Sequence, residues 1–103
     1  MHLILHTPHV HDRLALEPVV RRRAGFALAR FEPMITRMTL RLSDINGPRG
    51  GYGIECLGVV EFVHGGSLVV KGLARTAQAA LNDVIDRARS AVVRSCDRLK
   101  RHR

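Results

Sequence analysis

Tryptophan is absent from this chain, tyrosine occurs once, at Tyr52, and aromatic residues make up only 4% of it. Recognition of unpaired bases on a stacking sheet, as in RRM or OB folds, relies on several exposed rings. The scarcity argues against such a platform and for recognition of backbone and shape. Cysteine is nearly as scarce. Cys56 and Cys96 stand alone, with no CxxC pair and no partnered histidine spacing, so neither a zinc site nor a secreted disulfide framework is in view. Cys56 falls in a strand pattern and Cys96 on an apolar helix face, and both are expected as buried free thiols. No apolar run approaches the ~18 residues of a membrane span, and no basic segment leads into an apolar one. A soluble, cytoplasmic protein is the expectation.

Catalytic groupings are missing as well. Ser43, Ser67, Ser90 and Ser95 are the only serines, none lies in a GxSxG context, and no carboxylate pair converges in a loop. No enzyme is expected. His2, His6, His9 and His11 crowd the start of the chain, but no carboxylate or thiol completes a ligand set, and solvated histidines are the default reading. Neither a metal, a cofactor nor a small-molecule substrate is expected.

What the chain has in excess is arginine. Lys+Arg is 17 against Asp+Glu 9, a formal charge of +8, and Lys71 and Lys100 are the only lysines. Such an excess promotes encounter with polyanions. Guanidinium groups bind phosphate through two parallel hydrogen bonds and stack on bases, which favours structured nucleic acid over a membrane surface. At 103 residues the chain makes one domain, 1–103, with a single modest core.

The clearest element is a C-terminal helix, about 76–100, running on toward Arg103. Ala77, Ala80, Leu81, Val84, Ile85, Ala88, Val92, Cys96 and Leu99 recur at the three-and-four spacing of a helix that buries one side. Thr76 is the expected N-cap. Beyond Asp83 and Asp86 the polar side turns basic: Arg87, Arg89, Arg94, Arg98, Lys100, Arg101 and Arg103 against Asp97 alone. Arg87, Arg94, Arg98 and Arg101 line up along one flank, a row of cations suited to a phosphate backbone.

Upstream, residues 2–6 read as a strand ending at Thr7-Pro8. From Leu14 to Phe31 the pattern is helical, with Leu16, Val20, Ala24, Ala27, Leu28 and Phe31 on one face. Pro18 fits such a helix in or near its first turn, Gly25 calls for a close packing contact, and Glu32-Pro33 ends it. Residues 35–43 alternate as a strand with Met38, Leu40 and Leu42 to one side and Arg37, Thr39 and Arg41 to the other. The turn-rich 44–53 is expected as a loop. Residues 54–63 form a strand with Cys56, Gly58, Val60 and Phe62 on one face, His64-Gly65-Gly66-Ser67 a tight hairpin, and 68–72 the last strand. The order is β-α-β-β-β-α, an α+β fold. A four-stranded, mainly antiparallel sheet with both helices packed on one face buries every stripe.

This order with a basic last helix resembles the short ribosome hibernation-promoting factor and ribosome-associated translation inhibitor (sigma-54 modulation protein) family. The resemblance is carried by Ala27-Leu28-Ala29-Arg30-Phe31 followed by Met38-Thr39-Leu40-Arg41-Leu42. It is carried also by Leu68-Val69-Val70-Lys71-Gly72 leading through Thr76-Ala77-Gln78-Ala79-Ala80-Leu81-Asn82 into the helix. It implies a fold similar to double-stranded-RNA-binding domains, and a bacterial stress-response protein that silences translation by docking between head and body of the small ribosomal subunit. The rRNA contacts it implies come from Arg87, Arg94 and Arg98, with Arg89 beside Ser90, and from Arg30, Arg22 and Arg23 on the first helix. Arg101 joins them from the stripe itself. Thr76 and Gln78 stand where the family commonly has Asp and Tyr. With nothing after Arg103, the short, monomeric form is the expectation.

Two alternatives stand beside a ribosome-binding inhibitor: a general double-stranded RNA or DNA binder, and a basic module for an acidic protein partner. Basic faces on both helices favour the first reading over the second, and the lack of surface aromatics weighs against the third. Gly47-Pro48-Arg49-Gly50 is a GxxG, but the backbone clamp of KH domains joins two helices, whereas this one lies between strands. A loop carrying Arg49 toward RNA and a loop that merely bridges two strands are equally compatible with it.

Overall fold

The computed structural model describes residues 1–8, 10–46 and 52–101, with side chains described over 1–8, 13–45 and 53–98. Its elements are β1 (His2–His6), α1 (Val10–Ala27), a 3₁₀ turn (Ala29–Met34), β2 (Ile35–Asn46), β3 (Tyr52–Phe62), β4 (Ser67–Ala74) and α2 (Ala77–Arg101). The strands form one sheet in the order β1-β2-β3-β4. Both hairpins are antiparallel, while β1 pairs with β2 in parallel, from His2 opposite Arg37 to His6 opposite Arg41. A parallel neighbour needs a crossover connection, and α1 supplies it. Among the described residues no helix is long and apolar enough to cross a membrane.

Alternation along the strands sends one side of the sheet under the helices. Leu3 and Leu5, Met38, Leu40 and Leu42, and Cys56 and Val60 are all buried there. They share one core with Ala80, Leu81, Val84, Ile85, Ala88, Val92 and Cys96 of α2, and with Val20, Ala24, Leu28 and Phe31 from α1 and the turn that follows it. The expected apolar faces are therefore the faces that pack, with Leu99 outside the residues whose side chains are described. Both cysteines are free and buried. Burial pushes the Cys56 thiol up from 9.0 to about 12, with a backbone hydrogen bond at Arg41 opposing and the Glu55 charge adding.

Two glycines let α2 lie close on the sheet. A Cβ on Gly58 would stand 2.6 Å from Val84 Cγ1, and one on Gly72 would stand 2.7 Å from Asp83 Oδ2 and 2.9 Å from Val84 Cγ2. Strands β3 and β4 are joined through Gly65 and Gly66, with φ of 99° and 83°, a conformation that residues with a side chain rarely adopt. Thr76 caps α2 as expected, its Oγ1 accepting the Ala79 N–H at 3.2 Å.

Four expectations need correction. Helix α1 starts at Val10, so Pro18 lies in its interior rather than in its first turn. Pro18 and its neighbours Arg13, Leu14 and Ala15 are exposed, so the ring meets no packed element. Gly25 has no packing partner: a Cβ there would meet nothing within 4 Å. The described residues of 44–53 are strand, not loop, because the ladder runs on through Asp44 opposite Ile54 and Ile45 opposite Gly53 to Asn46 opposite Tyr52. Continuous cross-strand hydrogen bonding outweighs the turn preference of Asp44, Asn46 and Gly53. The GxxG and Arg49 lie outside the described residues. The first helix also stops short of Phe31, giving way at Leu28 to the 3₁₀ turn that contains Pro33.

Candidate nucleic-acid interface

Because α2 buries one stripe against β3 and β4, its remaining surface has two flanks. At 3.6 residues per turn, Asp83, Arg87, Ser90, Arg94 and Arg98 follow the flank beside β4. Gln78, Asn82 and Arg89 follow the flank beside α1, and Asp86 lies between the two, lining both grooves. Each flank borders an open groove.

The β4-side groove encloses about 640 Å³ and is lined by Val69, Val70 and Lys71 of β4 and by Asp86, Arg87, Ser90 and Arg94 of α2. A smaller hollow of about 330 Å³ adjoins it, sharing Lys71 and Arg87 and closed by Glu55, Gly72, Leu73 and Asp83. Arg87 is partly neutralised, its Nε donating to Asp83 Oδ2 at 3.0 Å in an exposed i,i+4 pair. Such a pair is worth little in water, so the guanidinium is readily shared with another anion. Arg94 and Arg98 are exposed and have no acidic partner among the described residues. Lys71, Arg87, Arg94 and Arg98 thus present a row of donors at the sheet edge, suited to successive phosphates. Lys71 is a contributor that the sequence reading missed. Alternation along β4 puts it on the outer side of the strand, but only the packing of α2 places that edge beside Arg87 and Arg94.

The α1-side groove, about 480 Å³, is lined by Val19, Arg22, Arg23, Phe26 and Ala27 of α1 and by Gln78, Asn82 and Asp86 of α2. Arg23 reaches Asp86 at 3.5 Å, while Arg22 has no acidic partner among the described residues. Phe26 is 88% exposed. Its position off the Leu16, Val20, Ala24 and Leu28 face was the available signal for that exposure.

The remaining arginines divide. Arg89 is exposed on the α1-side flank, with no acidic partner among the described residues. Arg30 lies in the 3₁₀ turn and not on α1, its guanidinium carbon 5.5 Å from the centre of the Phe31 ring. Arg101 ends α2, and its side chain lies outside the described residues. Arg21 is committed to the fold, donating to Glu17 at 2.7 Å and toward the Leu3 carbonyl at 3.4 Å. The structure therefore gathers Arg87, Arg94 and Arg98 on one side of α2 and Arg22, Arg23 and Arg89 toward the other. His2 and His6 are exposed at the edge strand β1.

No family model matches the sequence, and no curated protein matches it. Among solved structures, the crystal structure of the N-terminal domain of Protein Y from Thermus thermophilus aligns with a TM-score of 0.65 at 16% identity. The alignment covers 91% of this chain and 98% of that one. At this level of identity the likeness is one of fold.

Proposed function

We propose that this chain is a ribosome hibernation factor that inhibits translation by binding small-subunit rRNA through its basic helix faces. The reading rests on one observation above the others: Arg94 and Arg98, free of acidic partners, extend the Lys71 and Arg87 cluster along one flank of α2. That row sits on the fold of the Protein Y domain, a member of the family that the sequence resembles. Backbone phosphates of a folded RNA are ligands of the right charge and spacing for such a row. The chemistry asked of the protein is binding alone, and a cytoplasmic location follows from the partner.

The test is co-sedimentation with purified small subunits across a salt series. Neutralising ~5–7 phosphates gives a log–log slope of about −4 to −6 between affinity and salt. Recovery of the protein only at the top of the gradient in low salt overturns the reading. A variant carrying both Arg94→Glu and Arg98→Glu should lose subunit binding and inhibition of cell-free translation together, since two phosphate contacts become repulsions. Addition of an unrelated RNA duplex separates specific docking from general duplex binding: a specific factor stays on the subunit, a general binder is competed away.

A further inference from the structure

The groove between α1 and α2 differs in character from the phosphate row on the other side of the helix. Phe26 leaves 88% of its surface in water, in a chain with only three phenylalanines and no tryptophan. Val19 and Ala27 extend the apolar patch around it, and Arg22 and Arg23 lie one turn before it on the same side of α1. The opposite wall is polar and uncharged at Gln78 and Asn82, whose amides have no hydrogen-bond partner among the described residues, and ends at Asp86.

We infer that this groove holds one unstacked nucleotide of an RNA, its base lying on the Phe26 ring. The inference rests on the proposed ribosome binding for the source of the RNA, though the groove's chemistry stands apart from it. A phosphate backbone alone is a poor match, since Phe26, Val19 and Ala27 offer it nothing. A flipped-out nucleotide matches every wall. The ring takes the face of the base. Amides at Gln78 and Asn82 both donate and accept, as a base edge requires, and the Asp86 carboxylate accepts from a base N–H or a ribose 2′-hydroxyl. Arg22, which has no acidic partner, is left for the flanking phosphate, with Arg23 shared between that phosphate and Asp86. The volume of about 480 Å³ falls in the range of small-ligand sites. Arg22 and Arg23 beside the ring select a polyanion over an apolar peptide.

The absence of tryptophan makes the groove directly observable. Phe26→Trp keeps a stacking surface and creates the only indole in the protein, so a stacked base quenches its fluorescence. Titration of this variant with small subunits, and with short single-stranded RNA, should quench the signal saturably. Phe26→Ala should weaken RNA binding roughly 5- to 100-fold, with the urea midpoint unchanged because the ring is exposed. If the wild-type protein binds subunits and Phe26→Ala binds them equally well, the groove assignment falls while the ribosome reading stands. If no subunit binding is found yet single-stranded RNA quenches the indole, the groove stands and the ribosome reading falls. If Phe26→Ala loses subunit binding but protein-free rRNA does not quench the indole of Phe26→Trp, the ring meets a ribosomal protein and the nucleotide assignment is overturned.

Discussion

The two helices lie on the same face of the sheet and are held there very differently. Helix α2 is seated on Gly58 and Gly72, has Ala80, Leu81, Val84, Ile85, Ala88 and Val92 fully buried, and is capped by Thr76. Helix α1 buries only Val20 and Ala24 among its described residues, has Pro18 in its interior, and leaves Leu14, Val19 and Phe26 exposed. Most of the helix-to-sheet energy therefore resides in α2. That helix can carry uncompensated arginines on its outer flank because its inner face already fixes it. The looser α1 contributes a ring and two arginines to a groove without being part of the same tight seam.

Substitutions can break or sharpen this contrast. The largest effect is expected at Ile85, fully buried beneath α2: Ile85→Ala should lower stability by about 2–4 kcal/mol, read as a falling urea midpoint. Gly58→Ala follows, since its Cβ would stand 2.6 Å from Val84 Cγ1, a stiff β-branched side chain in the core. A loss of about 1–3 kcal/mol is expected from that overpacking. The same glycine-to-alanine change in α1 should have the opposite sign. Gly25 has helical backbone and open space around its Cα, so Gly25→Ala should gain about 0.5–1 kcal/mol. A destabilised Gly25→Ala would mean that α1 is seated as closely as α2. Smallest is the Arg94→Glu, Arg98→Glu pair, expected to shift stability by no more than ~0.5 kcal/mol each. Any change should be downward, because acids late in a helix oppose its dipole. Equal loss of stability and of ribosome binding in that variant would mean that the arginines serve the fold.

The legibility of the chain follows the same division. Helix α2 and the helix-facing residues of β2 and β3 were readable because burial on one side imposes a period, and the period survives in the sequence. The limits of α1 were not. Pro18 looks like a first-turn residue, and only the structure shows that an exposed helix interior accommodates it. Gly25 looked like a packing contact and is not one, since a glycine's reason lies in what surrounds it. Asp44 and Gly53 carry turn chemistry, yet their pairing partners place them in strands. The arginines of the candidate site were visible by composition and spacing. Lys71 was not, because its role depends on a strand edge lying beside a helix flank, and the same holds for the wall that Gln78 and Asn82 offer to Phe26.

The placement of Cys56 gives the molecule an internal clock. Fully shielded, and with its thiol pushed up to about 12, it offers reagents almost no thiolate while the protein is folded. Alkylation at pH 8 then proceeds only through openings that expose the sheet surface, and its rate counts them. The folded chain also keeps a proton that the unfolded chain surrenders from about pH 9, so the raised value favours folding below that pH. This contribution fades as alkali carries the solution from 9.0 toward 12. Destabilising the core through Gly58→Ala or Ile85→Ala should speed the clock, and filling the space at Gly25 should leave it unchanged or slow it.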